Sequence, residues 1–380
     1  STIADLKVIT PQANLSILVD GYYSKGDGGG GLFFANTTTG THTDDGGLVL
    51  TSNVTGGTAS SSWKRIIEDS INVKWFGAKG DGVTDDYSAI QRAANAANSF
   101  VSSYLYTVPY NRSIKLYFPH DYYFYVSQGI TCSGAVDIEM NSIMQVDGAA
   151  NAAVIGLYIT NPVHLDPYAP ARKSYKVRVL RKNLSDWSAT NDIGVLIDAS
   201  LYCHLDVKFV QGFRTGVDIS MAYGQVDVTH INAFQYGMKI GPTGVANTSN
   251  NWWTNHIAVT GGEFSSAYGS SALITRDKPR YGIYLHNIPL PATANGYGIN
   301  AMSFKGQSFE LSSIGWPQSV CAPQAISAAG GGTQSLTING TISDTTIVPA
   351  GTYVVSGVSE FPSERRVVVS STGNRSEEHT

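Results

Sequence analysis

Short apolar–polar alternations dominate the chain beyond residue 110, and four of them repeat. They are GVLIDASLYCHLDVKFVQGF (194–213), GVDISMAYGQVDVTHINAF (216–234), GMKIGPTG…NHIAVTGGEF (237–264) and GIYLHNIP…NAMSFKGQSF (282–309). Each opens on Gly, runs into an apolar–x–apolar strand, adds a second alternating strand and closes on Phe. The starts lie 22, 21 and 45 residues apart, the longer segments carrying the inserted loops ANTSNNWWT (246–254) and PLPATANGYG (289–298). A period near 22 with two or three short strands per turn predicts the coils of a parallel β-helix, stacked at the strand spacing of about 4.8 Å. Period-two facing turns Val195/Ile197, Val217/Ile219, Met238/Ile240 and Ile283/Leu285 inward and Leu196, Asp218, Lys239 and Tyr284 outward. In the second strand Leu205, Val207, Phe209, Val226 and Val228 face in. Asp206, Lys208, Asp227 and Thr229 face out.

Upstream the period changes. Ile90, Ala93, Ala94 and Ala97 fall on one face of a short helix over 85–98. The first coil of a solenoid has an open edge that needs a cover, and a helix with one apolar face supplies it. Just before it stands WFGAKGDGVTDD (75–86), in which VKWFGA reads as a strand and KGDG as a turn. Its aspartates lack the alternate-position acids and terminal Glu of a calcium loop. Thr84 or Asp85 can cap the helix, and Asp86 suits the positive end of its dipole. Residues 1–70 alternate apolar runs with glycine-rich turns and read as a small β module. GDGGGG (26–31) lacks the Gly-Lys-Ser/Thr ending of a phosphate loop. Residues 71–319 are the β-helix. Residues 320–380 read as a β-rich C-terminal module or tail.

Composition narrows the function. Charged residues make up 14% of the chain, and net charge is −4 with no Lys/Arg run longer than two. A surface that tracks nucleic-acid phosphates is not expected. No apolar run reaches 18 residues, so membrane insertion is not expected, and STIADLKVIT has no signal-peptide pattern. Three distant cysteines, Cys132, Cys203 and Cys321, suit neither a disulfide framework nor a zinc site.

INVKWFGAKGDGVTDDYSAIQRA (71–93) resembles the start of the pectate-lyase-like β-helix of bacteriophage tailspikes and related polysaccharide depolymerases. GYYSKGDGGGGLFF…DDGGLVL…WKRI is similar to the small module that often precedes it. The resemblance implies an all-β, right-handed parallel β-helix with a short capping helix. It implies a homotrimer in the virion tail, attached to other phage tail or baseplate proteins. Such a protein binds and depolymerises capsule, O-antigen or exopolysaccharide at the outside of the bacterial cell. Neither metal nor cofactor is expected.

Glycoside hydrolysis needs two carboxylates. Two outward sets qualify. Aligning Phe264 with Phe309 puts Glu263 and Glu310 on adjacent coils, roughly 8 Å apart along the backbone. Asp206 and Asp227 each stand seven residues before the closing Phe of their coil and stack at about 4.8 Å. Trp252, Trp253, Tyr223, Tyr284 and His256 are candidate sugar-binding residues. A lyase acting on a uronic acid, with His256, Lys239, Tyr284 or Arg280 as base and charge stabiliser, is the alternative. A non-catalytic adhesin is a further one.

Overall fold

The computed structural model describes residues 1–38, 40–54, 61–102, 114–147, 153–160, 173–182, 192–200, 203–221 and 224–240. Beyond these it describes the strand segments 257–260, 263–266, 281–285, 301–305, 335–338, 355–356, 366–372 and 375–379. The chain divides into two compact units, 1–147 and 148–380. The 70/71 boundary drawn from the hydrophobic pattern falls inside the first.

The first unit begins with helix α1 (Ile3–Lys7), closed by a reciprocal capping box between Thr2 and Asp5. Strands β1 (Ser16–Val19), β2 (Gly31–Asn36), β3 (Val49–Thr51) and β4 (Ser62–Arg65) form an antiparallel sheet in the order β1-β2-β4-β3. Val19, Phe33, Leu50 and Trp63 pack on α1 through Ile3 and Leu6. The glycine-rich loop has a structural explanation. The Asp27 carboxylate accepts the amides of Tyr22, Tyr23, Ser24 and Gly29. Buried Arg65 donates to the carbonyls of Gly29, Gly30 and Gly47 and lies over the rings of Phe33 and Trp75. Burial pushes its guanidinium down to about 9, still charged at neutral pH. A Cβ at Gly30 would stand 2.4 Å from the Val19 carbonyl, so glycine is required there by close approach.

The same unit holds its own stacked coils. Strands β5 (Ser70–Asn72) and β7 (Lys115–Phe118) pair in parallel, and β7 pairs with the first half of β10 (Asp137–Val146). Strands β6 (Asp81–Asp85) and β8 (Tyr123–Val126) lead to its second half. Leu116 lies over Ile138, Phe118 over Met140 and Phe124 over Met144, all buried. Helix α2 (Tyr87–Ser102) covers these coils with Ile90, Ala93, Ala94, Ala97 and Val101, and packs against β9 (Ile130–Ser133). Its polar residues complete the cover. The Gln91 side chain donates to the Thr131 carbonyl and accepts the Thr131 amide. Seven residues on, Asn98 accepts the Ser133 amide. One helix face thus supplies the groups a neighbouring strand would supply.

The second unit carries the repeat. On one side β11 (Ile155–Thr160), β13 (Ile193–Ser200), the ends of β14 (Cys203–Met221) and β15 (Gly224–Ile240), and β18 (Tyr281–Leu285) stack in parallel. The column Leu157–Val195–Val217–Met238–Ile283 runs through five coils, one more than the four repeats read from the sequence. On another side β12 (Lys173–Lys182), β14, β15, β16 (Ile257–Thr260), β19 (Ala301–Lys305) and β20 (Ser335–Ile338) stack, with Tyr175–Leu205–Val226–Val259–Phe304–Ile338 in register. Strand β17 (Glu263–Ser266) pairs with the middle of β15. The glycines that open the first two repeats have a steric cause. A Cβ on Gly194 would stand 2.5 Å from the Gly216 carbonyl, and one on Gly216 would stand 2.2 Å from Ile231 Cγ2. Strands β21 (Val355–Ser356), β22 (Arg366–Thr372) and β23 (Arg375–His379) form a separate antiparallel sheet.

Three local expectations are corrected. Val73–Phe76 is a 3-10 turn ended by Gly77 at φ +90, not a strand, because the chain must turn out of β5 after three residues. Leu196 is not exposed on the outer side of its strand: it is buried, as are Asp198 and Asp218 on the same side. Phe209 does not face in. The chain bends at Lys208, and the ladders skip that position, so the alternation changes phase: Val207 and Val210 are buried and Phe209 is only half-buried. An ion pair between Lys182 and Asp192, 2.6 Å and buried on both sides, was not foreseen at all.

Replacing both Gln91 and Asn98 by Ala keeps the apolar face of α2 and removes its hydrogen bonds to β9. Loss of these partly exposed bonds is expected to cost about 1–3 kcal/mol in urea unfolding. An unchanged midpoint would contradict the edge-capping role.

Candidate functional site

The second unit places the acids of the repeat on a defined lattice. Outward positions of three neighbouring coils form rows: Ser174, Lys176 and Arg178 on β12, His204, Asp206 and Lys208 on β14, Gln225, Asp227 and Thr229 on β15. None of the nine is buried. Lys176, Asp206, Asp227 and Thr260 are successive register partners, as are Ser174, His204, Gln225 and Ala258. Asp206 and Asp227, 21 residues apart in sequence, are therefore direct neighbours, one strand spacing of about 4.8 Å between backbones.

Each acid has its own positive or donating neighbours. His204 Nε2 lies 2.7 Å from Asp227 Oδ2, a hydrogen bond when the ring proton is on Nε2. Gln225 Nε2 donates to both oxygens of Asp227, at 2.9 and 3.1 Å. Lys208 Nζ lies 2.8 Å from Asp206 Oδ1 as a close ion contact, off the direction of an aligned hydrogen bond. The acids thus stand adjacent yet differently held, Asp227 by His204 of the neighbouring strand and Gln225 of its own, Asp206 by the Lys208 ammonium. His204 and Gln225 sit two residues before the acids in each strand. Period two places them on the same face, a signal present in the sequence and not used.

Beyond the bend, Phe209 and His230 stand in one outward column with ring centroids 5.2 Å apart. Glu263 is the register partner of His230 on the next coil. This aromatic pair was missed because period two was carried through the bend. Arg181, Gln211, Asn232 and Ser265 form the neighbouring column.

A second pair of acids lies on the side formed by β13 and the end of β14. Asp218 is one coil from Leu196, and Asp198 stands two positions further along β13. The Tyr158 hydroxyl lies 3.3 Å from Asp198 Oδ2. Burial, then the charge of Asp198, pushes that phenol up to about 12. Lys239 Nζ is 3.9 Å from Asp218 and 4.9 Å from the centre of the Tyr236 ring. These groups are buried or half-buried in a cation–aromatic–acid cluster.

Of the residues selected from the sequence, Asp206 and Asp227 are brought together. Tyr284 is placed by register beside Lys239, and Glu263 beside His230. Glu310, Trp252, Trp253, Tyr223, His256 and Arg280 lie outside the described residues.

The aspartates of WFGAKGDGVTDD are absorbed by the backbone. Asp81 accepts the Val83 and Thr84 amides and the Thr84 hydroxyl. The Thr84 amide and hydroxyl, then the Val83 amide, hold it down to about 2. Asp85 accepts the amides of Tyr87 and Ser127 and the Ser127 hydroxyl. Buried Asp86 opens α2 through its carbonyl, which accepts from Ile90, while its carboxylate turns back to the Lys79 and Gly80 amides. It is thus a turn clamp and not the first-turn dipole partner that the sequence suggested. Burial holds its carboxyl above the usual range against those two hydrogen bonds.

Residues 1–68 match the family model described as the phage tail protein small four-stranded beta-sheet domain, and these residues do form a four-stranded sheet. The chain is 47% identical over 53 residues to an uncharacterized 65.4 kDa protein in cps region of Klebsiella pneumoniae, covering 12% of this chain and 9% of that one. It is 33% identical over 117 residues to the Mu-like prophage FluMu defective tail fiber protein of Haemophilus influenzae, covering 30% and 18%. The matched segments span less than a fifth of either relative. Among solved structures, similar ones include the tailspike gp49 of Acinetobacter baumannii bacteriophage Fri1, a capsular polysaccharide depolymerase (TM-score 0.46, 10% identity, 90% of this chain and 59% of that one). Others are the enzymatically active domain of bacteriophage CBA120 tailspike protein 2 (0.39, 13%, 89% and 57%) and Pantoea stewartii WceF, a glycan biofilm modifying enzyme (0.35, 14%, 89% and 44%).

Asp86→Ala leaves two amides of the Lys79–Gly80 turn without their acceptor and is expected to cost about 2–4 kcal/mol in unfolding. EDTA should not shift the melting temperature of the wild-type protein through this loop. A drop on chelation that Asp86→Ala abolishes would return the loop to the metal reading.

Proposed function

We propose that the chain is part of a homotrimeric phage tail protein that binds a bacterial surface polysaccharide and cuts it by hydrolysis. The observation that carries the chemistry is the register of Asp206 with Asp227 on an outward face of the coils. The match of residues 1–68 to a phage tail domain supports the location in the virion tail, at the outside of the host cell. The Haemophilus relative, a defective tail fiber protein, supports the same location. The polysaccharide is a capsule, an O-antigen or an exopolysaccharide.

In this reading Asp227, whose carboxylate accepts from His204 and Gln225, is the fixed anionic partner and attacks the anomeric carbon. Asp206 carries the proton to the leaving oxygen and later takes one from water. Lys208 contacts Asp206 until substrate displaces it. The one-strand spacing lies beside the separation of about 5–5.5 Å found in retaining enzymes. Phe209 and His230 offer faces for sugar rings past the bend. Glu263 with Glu310 is the competing pair. A lyase using Lys239 and Tyr284 is the alternative chemistry.

The test is incubation with polysaccharides from a panel of encapsulated bacteria and mass spectrometry of the fragments. Fragments heavier by one water, with retained anomeric configuration, are expected. Asp206→Asn and Asp227→Asn should each slow their release at least about 100-fold with an unchanged circular dichroism spectrum. Fragments lacking the water and absorbing as unsaturated uronates would select the lyase. Full activity in both Asp variants, with loss in Glu263→Gln or Glu310→Gln, would move the site to the glutamates. Retention of glycan with no fall in chain length would make the protein an adhesin.

A further inference from the structure

Val83 is the residue of WFGAKGDGVTDD that the backbone clamps do not explain. Asp81, Asp85 and Asp86 each accept amides, whereas Val83 stands among them 82% exposed. Its place follows from a bulge in the first unit. Asp81 is the register partner of Tyr123 and Asp85 that of Tyr125, so a step of four residues on β6 faces a step of two on β8. The surplus turns Val83 outward beside the tyrosines. Gly82 lies so close to the Tyr123 ring that a Cβ there would stand 2.7 Å from Cδ1.

The tyrosines are tied down by the next coil. Ile143 is the register partner of Tyr123, and Gln145 that of Tyr125. Each hydroxyl passes its own partner and donates to the residue two further on. Tyr123 donates to Gln145 Oε1, and Tyr125 donates to Asp147 Oδ2 at 2.9 Å. Both rings therefore lean the same way along the strands, at the diagonal reach of an aromatic side chain. The hydrogen bond to Asp147, then burial, raises the Tyr125 phenol, which keeps its hydroxyl protonated and donating at neutral pH. Tyr125, Gln145 and Asp147 are half-buried. Among the described residues Gln145 Nε2 and Asp147 Oδ1 make no hydrogen bond. An amide donor and a carboxylate acceptor thus stand beside a fixed ring and an exposed apolar tip.

We propose that Val83, Tyr125, Gln145 and Asp147 form a non-catalytic subsite for a neutral sugar residue of the polysaccharide. The inference rests on the reading of the chain as a polysaccharide-binding tail protein, and not on the acid pair. A pyranose has an apolar C–H face and a rim of hydroxyls. The face lies against the Tyr125 ring and the Val83 methyls, and the rim meets the Gln145 amide and the Asp147 carboxylate. The ring is already immobilised by Asp147, so ordering it costs nothing on binding. Charge selects the neutral sugar. The charged outward groups of β6, β8 and the end of β10 are Asp81, Asp85 and Asp147, with no cation among them, and a uronate would add a further negative charge.

The test is affinity electrophoresis of the full chain carrying Asp206→Asn and Asp227→Asn, so that retardation reports binding alone. The gels are cast with capsular and O-antigen polysaccharides, one set neutral and one set containing uronates. Retardation by a neutral polymer, indifferent to salt, is expected. Tyr125→Ala should weaken it about tenfold and Val83→Ser about threefold. Val83 is exposed, so its variant keeps the wild-type melting temperature and tests the subsite even where Tyr125→Ala unfolds. Retardation by uronate polymers alone, by no polymer, or to the same extent in both variants would overturn the subsite. Fragment release by the chain with Asp206 and Asp227 intact is scored separately. Release with unchanged retardation in both variants keeps hydrolysis and removes the subsite. Weakened retardation in the variants with no release from any polymer keeps the subsite and removes hydrolysis.

Discussion

Register is the constraint on which everything else in the second unit depends. Side chains along a strand alternate with a period of two, so a slip of one residue between coils would exchange the core for the surface. Here Val195, Val217 and Met238 stack inside, and Leu205 stacks on Val226. That apolar stacking fixes the outward columns. Asp206 meets Asp227, and Lys176 meets Asp206, because the core residues on either side of them cannot be shifted without exposure. The acid pair is thus positioned by groups that never touch it. Gly194 and Gly216 contribute by permitting the close approach of successive coils where a Cβ would strike the next carbonyl or Ile231.

The first unit solves a different problem, the open end of a stack. An apolar helix face alone would bury the edge strand and strand its amides and carbonyls. Gln91 and Asn98 meet those groups, so burial and hydrogen bonding are satisfied by one element. The loop before the helix is held in the same way. Asp81, Asp85 and Asp86 each accept backbone amides, and Lys74 closes the far side by donating to the Lys79 carbonyl. A stretch with the composition of a metal loop is therefore a rigid connection between the small sheet and the coils.

Much of this was legible in the sequence where a period was unbroken. The columns through Val195 and Ile197, the adjacency of Asp206 and Asp227, and the apolar face of the helix all follow from spacing alone. Legibility failed where the period broke. The bend at Lys208 turns Phe209 outward, and no residue type announces it. VKWF has strand-forming side chains, yet the short β5 and Gly77 at positive φ make it a turn. Pairings between distant positions were also invisible: Arg65 with three glycine carbonyls and Lys182 with Asp192. Each needs the fold before the partner can be named.

A double-mutant cycle on fragment release tests most directly whether Asp206 and Asp227 work as one unit. Two carboxylates that share a single reaction are grossly non-additive. The account predicts that Asp206→Asn and Asp227→Asn each lose at least about 100-fold, and that the double variant loses little more than the worse single variant. Losses that multiply in the double variant would show two independent contributions and contradict the paired site.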